Sequence, residues 1–301
     1  MRAAIVVNSI QETDRIYGGH SMSAPLRRVL VRRPVAPATD TDGQRFDYPR
    51  SVDHRLAVEE HAAFVRTLAD HGVEVTVEDS DPVGMLDAIF SYDPSIMTDR
   101  GAILLRMGKP MREAETALHA RSYERLGIPI AGRIEAPGTV EGGDTLWLDE
   151  RTLAVGRGYR TNDEGIAQLT SLLGEQDVEV MPVALPHWHG PGECLHLMSL
   201  ISPVAPNLAA IYPPLLPVSF IELLQSLDWR LIEVPDEEFE SLGCNVLALT
   251  PDTCLMIEGN PITRERLEAA GRRVSTYRGD EISRNRAGGP TCLTRPLLRS
   301  A

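Results

Sequence analysis

One structural unit recurs five times along this sequence, and that repetition restricts the possible folds more than any other feature. The unit reads as a short strand, a second strand, a helix and a closing strand, with a chemically capable side chain near its start. Those residues are Asp93 in IFSYDPSIMT, Glu141 in VEGGDTLWL, His196 in CLHLMSLISPV, Asn245 in GCNVLALT and Cys292 in GGPTCLTRPLL. They are separated by 48, 55, 49 and 47 residues, a near-constant period in segments that otherwise look unrelated. A period of this size marks repeated supersecondary units set in an array or around an axis. Units surrounding one axis bring equivalent positions to its centre, so a thiol, an imidazole and two carboxylates are expected to share a pocket.

The first unit opens with a strand from Leu26 to Arg33, stopped by Pro34. Asp53 caps the following helix, Gly72 ends it, and Val73 to Val77 alternates as a strand. AILLRMG, a helix over Met111 to Leu126 and IPIAGRI repeat the scheme, as do TLAVGRG, a helix from about Asn162 to Leu173 and VEVMPV. The fourth unit is LAAIYPPLLP, a helix over Val218 to Leu227 and WRLIEVP; the fifth is CLMIEG, a helix from Thr263 to Ala270 and RRVSTY. Each unit is preceded by a short strand carrying one special residue. For the first unit, the strand around Cys292 supplies it, which pairs chain end with chain start and closes a ring without exposed sheet edges. An open doubly wound sheet also alternates strands and helices; the recurring residue positions favour the ring, as one closed domain over residues 1–301.

A formal net charge of −13 argues against nucleic acid or an anionic membrane as partner. It reads as ordinary acidic solubility and also suits a cationic small molecule. The opening MRAAIVVNSIQETDR has an apolar run too short for a secretory core, and no stretch reaches a membrane span. Cys194, Cys244, Cys254 and Cys292 lack CxxC spacing, so reduced thiols in a cytoplasm are expected. Of these, Cys194, Cys244 and Cys254 read as structural. HWHG (His187 to Gly190) lacks a supporting ligand set, so no metal is expected there. YGGHSM (Tyr17 to Met22) has the paired glycines a mobile flap could use, and whether it closes over a ligand stays open; it lacks the spacing of a phosphate loop. Whether the chain forms a homo-oligomer stays open.

EGGD at Glu141 to Asp144, YRTN at Tyr159 to Asn162, HLMS at His196 to Ser199 and GGPTCLTRP at Gly288 to Pro296 together resemble the guanidine-modifying, or pentein, superfamily. The resemblance covers nearly the whole chain and implies an α/β fold, a five-bladed propeller of pseudo-fivefold ββαβ repeats around a central active-site channel. It is nearest to the short hydrolases similar to dimethylarginine dimethylaminohydrolase. It implies that Cys292 is the nucleophile, His196 the general acid and base, and Glu141 a carboxylate holding the guanidinium. Asp93 is then a second guanidinium-binding carboxylate and Asp87 a further acidic contact. Arg112 and Arg160 fall where the family places receivers of the substrate α-carboxylate, and Asn245 occupies the remaining blade's equivalent position. No cofactor is implied, and the partner is a small cationic guanidino substrate. Two departures stand out. Tyr92 replaces the Arg or Glu often found in relatives, and Met198 stands where deiminases carry another carboxylate. Fewer acceptors and a softer wall suit an N-alkylated guanidine.

The chemistry explains these residue types. Paired carboxylates hold a planar guanidinium by charge-assisted hydrogen bonds. A thiolate adds to its carbon, the imidazolium protonates the departing amine, and water then attacks the thiouronium with imidazole as base. Alternatives with the same first half are arginine dihydrolase, arginine deiminase and amidinotransferase. A non-catalytic pentein-fold binding module is the alternative of another class.

Overall fold

The computed structural model describes residues 15–39, 42–79, 84–192 and 194–300. The apolar opening segment, up to residue 14, lies outside the described residues. No described helix is long and apolar enough to cross a membrane.

Strands β1 (Leu26–Arg32) and β2 (Glu74–Glu78) run parallel. Between them lies helix α1 (His54–Asp70), capped by Asp53, whose carboxylate accepts from the Leu56 N–H at 2.9 Å. The same plan follows four more times. The second sheet is β3 (Ser95–Thr98), β4 (Gly101–Leu104) and β5 (Ile130–Arg133), with helix α2 (Glu115–Leu126) between its last two strands. The third is β6 (Thr145–Asp149), β7 (Thr152–Arg157) and β8 (Glu179–Ala184), with α3 (Asp163–Gly174). The fourth is β9 (Ile201–Ala205), β10 (Leu208–Ile211) and β11 (Arg230–Glu233), with α4 (Val218–Ser226). The fifth is β12 (Leu247–Thr250), β13 (Thr253–Ile257) and β14 (Arg273–Tyr277), with α5 (Pro261–Ala269). Strand β15 (Arg295–Arg299) pairs antiparallel with β1 and gives the first sheet its third strand, as the repeat required. Five separate three-stranded sheets replace the open doubly wound alternative.

Helix starts depart from the sequence reading for local reasons. Regular helix begins at Glu115 rather than Met111, because Pro110–Arg112 form a 3₁₀ turn that aims Arg112 inward. The last helix begins at Pro261, two residues early, since the fixed φ of proline suits a first helical turn. The special residues also sit differently. They precede β3, β6, β9, β12 and β15 rather than riding on those strands, Asp93 and Cys292 in turns and Glu141, His196 and Asn245 in irregular segments. A strand can point a side chain only to one of its two faces; a position ahead of the strand is free of that restriction.

The apolar interfaces form a cyclic succession. Leu30, Leu297, Met97 and Leu104 join the first sheet to the second, and Ile96, Ile103, Leu153 and Val155 join the second to the third. Leu146, Ala154, Ile201 and Ala209 continue to the fourth, and Val204, Ala210, Cys254 and Met256 to the fifth. Leu247, Leu255, Val29 and Val31 join the fifth back to the first.

Tyr17 to Met22 is not positioned as a flap over the main cavity. The Gly18 N–H donates to the Leu297 carbonyl at 2.8 Å, its carbonyl accepts from Arg299 at 2.9 Å, and His20 stacks on Trp147 at 4.1 Å.

Candidate active site

A cavity of about 210 Å³ is lined by Cys292, His196, Asp93, Asn245, Asp87, Arg112 and Arg160, which the sequence had dispersed over all five repeats. The Cys292 Sγ accepts from the Asn245 amide at 3.2 Å, and the same amide's oxygen accepts from the Thr291 N–H at 3.1 Å. Burial first, and then the nearby Asp93, push the Cys292 thiol up to about 11, against the opposing Asn245 bond and His196. The group is therefore a thiol at neutral pH and needs a cation beside it to ionise. Without ligand, alkylation of Cys292 by neutral iodoacetamide should accelerate about tenfold per pH unit toward pH 11. A cationic chloroacetamidine should label it readily at pH 7. Peptide mapping separates this site from Cys194, and a rate plateau below pH 8 contradicts the assignment.

His196 opens a short helical turn, Leu197–Leu200, and its Nε2 lies 2.7 Å from Glu141 Oε2. A Cβ built on Gly143 falls 2.3 Å from the His196 Nδ1, so the ring is seated against a position that only glycine leaves open. Burial opposes the charged imidazolium, but Cys194, Asp144 and Glu141 outweigh it and hold the group protonated well above its ordinary range. Asp144 accepts from the Leu197 N–H at 3.0 Å and the Thr161 hydroxyl at 2.6 Å, which fixes the turn; burial raises its own carboxyl to about 6.

Glu141 stands elsewhere than expected. It is fully buried behind His196 and is not part of the cavity wall. Its other oxygen accepts from the Gly108 and Lys109 N–H groups at 2.9 and 3.0 Å, with Arg160 Nη1 at 3.5 Å. Burial alone would raise its pKa, yet the His196 bond and charge, with Arg160 and Arg112, carry it down. A carboxylate so placed orients and charges the imidazole.

Arg112 also differs. Its Nη1 meets Asp93 at 2.6 Å, while its Nε and Nη2 grip Glu115 at 3.0 and 2.8 Å. These donors position Asp93, whose second oxygen accepts from the Gly143 N–H at 2.9 Å. Glu115 is fully enclosed and pushed up to about 7, chiefly by burial. Arg112→Met should lower stability by about 3 kcal/mol or more, because two buried carboxylates lose their cation; an unchanged urea midpoint would contradict this. Arg160 alone of the two arginines keeps its guanidinium outside such a clamp.

Asp87 accepts from the Tyr48 hydroxyl at 2.7 Å and from Lys109 Nζ at 3.1 Å. Neither Tyr48 nor Lys109 was singled out, although Lys109 is the only lysine among thirty basic residues, a signal that composition offered. Cys194, read as structural, is instead exposed, lines the cavity and rests over the imidazole, with Sγ 3.7 and 3.8 Å from the two ring nitrogens. Its position two residues before His196 in an extended segment was the available clue. Glu141, Cys194 and His196 bring an oxygen, a sulfur and a nitrogen within 4.8 Å of one another, a donor set that suits zinc. Cys244 and Cys254 are buried, and burial raises both thiols.

A family model for N,N dimethylarginine dimethylhydrolase, eukaryotic, matches residues 31–299. The chain is 29% identical over 270 residues to the N(G),N(G)-dimethylarginine dimethylaminohydrolase of Pseudomonas aeruginosa, covering 89% of this chain and 98% of that protein. It is 32% identical over 250 residues to the enzyme of the same name from Streptomyces coelicolor, covering 82% and 88%. A solved structure of the Pseudomonas aeruginosa protein, a mutant complexed with citrulline, superposes with a TM-score of 0.74 at 26% identity over 91% of this chain and 100% of that one.

Proposed function

The chain belongs to the N,N-dimethylarginine dimethylhydrolase family, and we propose that it hydrolyses N-methylated arginine to citrulline and an alkylamine through a thiouronium on Cys292. The observation that carries this reading is the convergence of Cys292, His196 and Asp93 on one cavity, with Glu141 bonded behind the imidazole.

The planar cation sits against Asp93, whose oxygens retain lone pairs after serving Arg112 and Gly143. Its charge lowers the Cys292 pKa, so binding itself generates the thiolate. Sulfur adds to the guanidinium carbon, and protonated His196 gives its proton to the departing dimethylamine. Water then attacks the thiouronium while neutral His196 takes its proton; collapse expels the thiolate and leaves citrulline. Glu141 stabilises the imidazolium through both halves. Arg160 receives the substrate α-carboxylate, Asp87 and Lys109 border the cavity beside it, and Asn245 directs the sulfur. The thioether of Met198 and the side chain of Leu195 border the same cavity and suit the methyl groups.

The architecture belonging to this reading is a five-bladed α/β propeller formed by residues 1–301 as one domain. Its support is the strand exchange of β15 and the cyclic succession of apolar interfaces. A cytoplasmic location and a small guanidino compound as partner, rather than nucleic acid or membrane, complete it.

The deciding experiment incubates the protein with asymmetric dimethylarginine, monomethylarginine and arginine and identifies products by mass spectrometry. Citrulline with dimethylamine is expected. Ornithine with ammonia from arginine would assign an arginine dihydrolase instead, citrulline with ammonia a deiminase, and amidino transfer to an added amine a transferase.

A further inference from the structure

A second, smaller cavity of about 30 Å³ shares Tyr92, Met198 and Thr291 with the wall of the catalytic one. Two arginines of β15, Arg295 and Arg299, line it. Residues four apart in a strand share a face, and each of these is only 4% exposed. No Asp or Glu lines this cavity. Arg299 donates to the backbone carbonyls of Ala24 and Ala248 at 2.6 and 2.9 Å. Arg295 lies with its guanidinium 3.9 Å from the Tyr92 ring centroid, and its Nε and Nη2 have no hydrogen-bond partner.

Carbonyl dipoles and an aromatic face solvate a guanidinium in part, but they supply no net negative charge. Two cations enclosed together without a carboxylate carry a large penalty unless a counter-charge is present. Burial accordingly presses the Arg299 pKa down to about 10, which leaves it charged at neutral pH. The space exceeds the roughly 10–15 Å³ that one water needs but is too small for a phosphate or a carboxylate metabolite.

We propose that this cavity binds one small monovalent inorganic anion, of chloride size, between the guanidinium groups of Arg295 and Arg299 beside Tyr92. Such an ion would also set the wall of the catalytic site, because the Tyr92 N–H donates to the Cys292 carbonyl at 3.1 Å and Tyr92 immediately precedes Asp93.

The test uses the intact protein and reads occupancy and stability rather than turnover, so its result is independent of the hydrolase assignment. Crystals grown with sodium bromide in place of sodium chloride should show an anomalous peak within contact of the Arg295 guanidinium. In solution, chloride should raise Tm saturably over gluconate at equal ionic strength, by about 3 °C at tenfold excess over its Kd. The chloride-specific rise should vanish in Arg295→Met. If that variant fails to fold, Arg299→Met or the wild-type salt comparison serves. Absence of the bromide peak while bromide orders elsewhere, or equal Tm in the two salts, overturns the proposal.

Discussion

Cys292→Ala should reduce citrulline formation by about 10⁴-fold or more, with dimethylarginine binding retained within a few-fold. The separation follows from how the side chain is held. Sγ takes a hydrogen bond from Asn245, whereas Asp93, the proposed receiver of the cation, is fixed by Arg112 and Gly143 independently of the sulfur. Removing sulfur thus deletes the proposed nucleophile and leaves the binding geometry standing. Calorimetric titration of the variant with dimethylarginine reads binding, and mass spectrometry reads product. Turnover within tenfold of the parent would show that another group attacks, and Cys194, the exposed one of the two other thiols lining the cavity, would then be the candidate.

His196→Ala should divide the reaction. With dimethylarginine, whose amine must be protonated to leave, turnover should fall by about 10²–10⁴-fold. With S-methylthiocitrulline the leaving group is a thiol that departs without a strong acid, so the first half should survive. Its second half still lacks a base, and a persistent adduct on Cys292 should accumulate, visible in the intact mass. Glu141→Gln supplies the finer control. The His196 pKa is raised by Cys194 and Asp144 and by its bond to Glu141, so losing the carboxylate charge should move the basic limb of kcat to lower pH. An adduct that hydrolyses at the parent rate in His196→Ala would remove the imidazole from the second half.

Much of the architecture was readable because its determinants are local. Asp53 and Asn162 cap helices, Gly72 and Gly127 take the left-handed backbone that ends them, and apolar strands recur at a steady interval. The exchange of β15 into the first sheet followed from counting, since one repeat lacked its leading strand. Cys292, His196, Asp93 and Asn245 shared equivalent positions and did converge on a single cavity.

The misplaced roles have a common origin: charged groups whose partners come from distant segments or from an inward-facing turn. Arg112 looked available to a ligand until the 3₁₀ turn set it between Asp93 and Glu115. Glu141 looked like a substrate contact because the sequence cannot tell which side of His196 it faces. Tyr17 to Met22 looked mobile for its glycines, yet backbone bonds to Leu297 and Arg299 decide its place. Cys194 was set aside on the usual preference of thiols for the core, and the loop holding it open carries no periodic pattern to say otherwise.

The register that sets Leu26 opposite Arg299 also governs when activity can begin. At about 5–20 residues per second, roughly 15–50 s of translation separate those two partners on the ribosome. Throughout that interval β1 offers a bare edge to any passing strand, and Cys292, the proposed nucleophile, has only just been made at its end. A stalled nascent polypeptide is consequently inert rather than sluggish, and its hazard is aggregation. Chaperone demand should peak just before β15 emerges, and catalysis should appear in one step with the Cys292 turn and that strand.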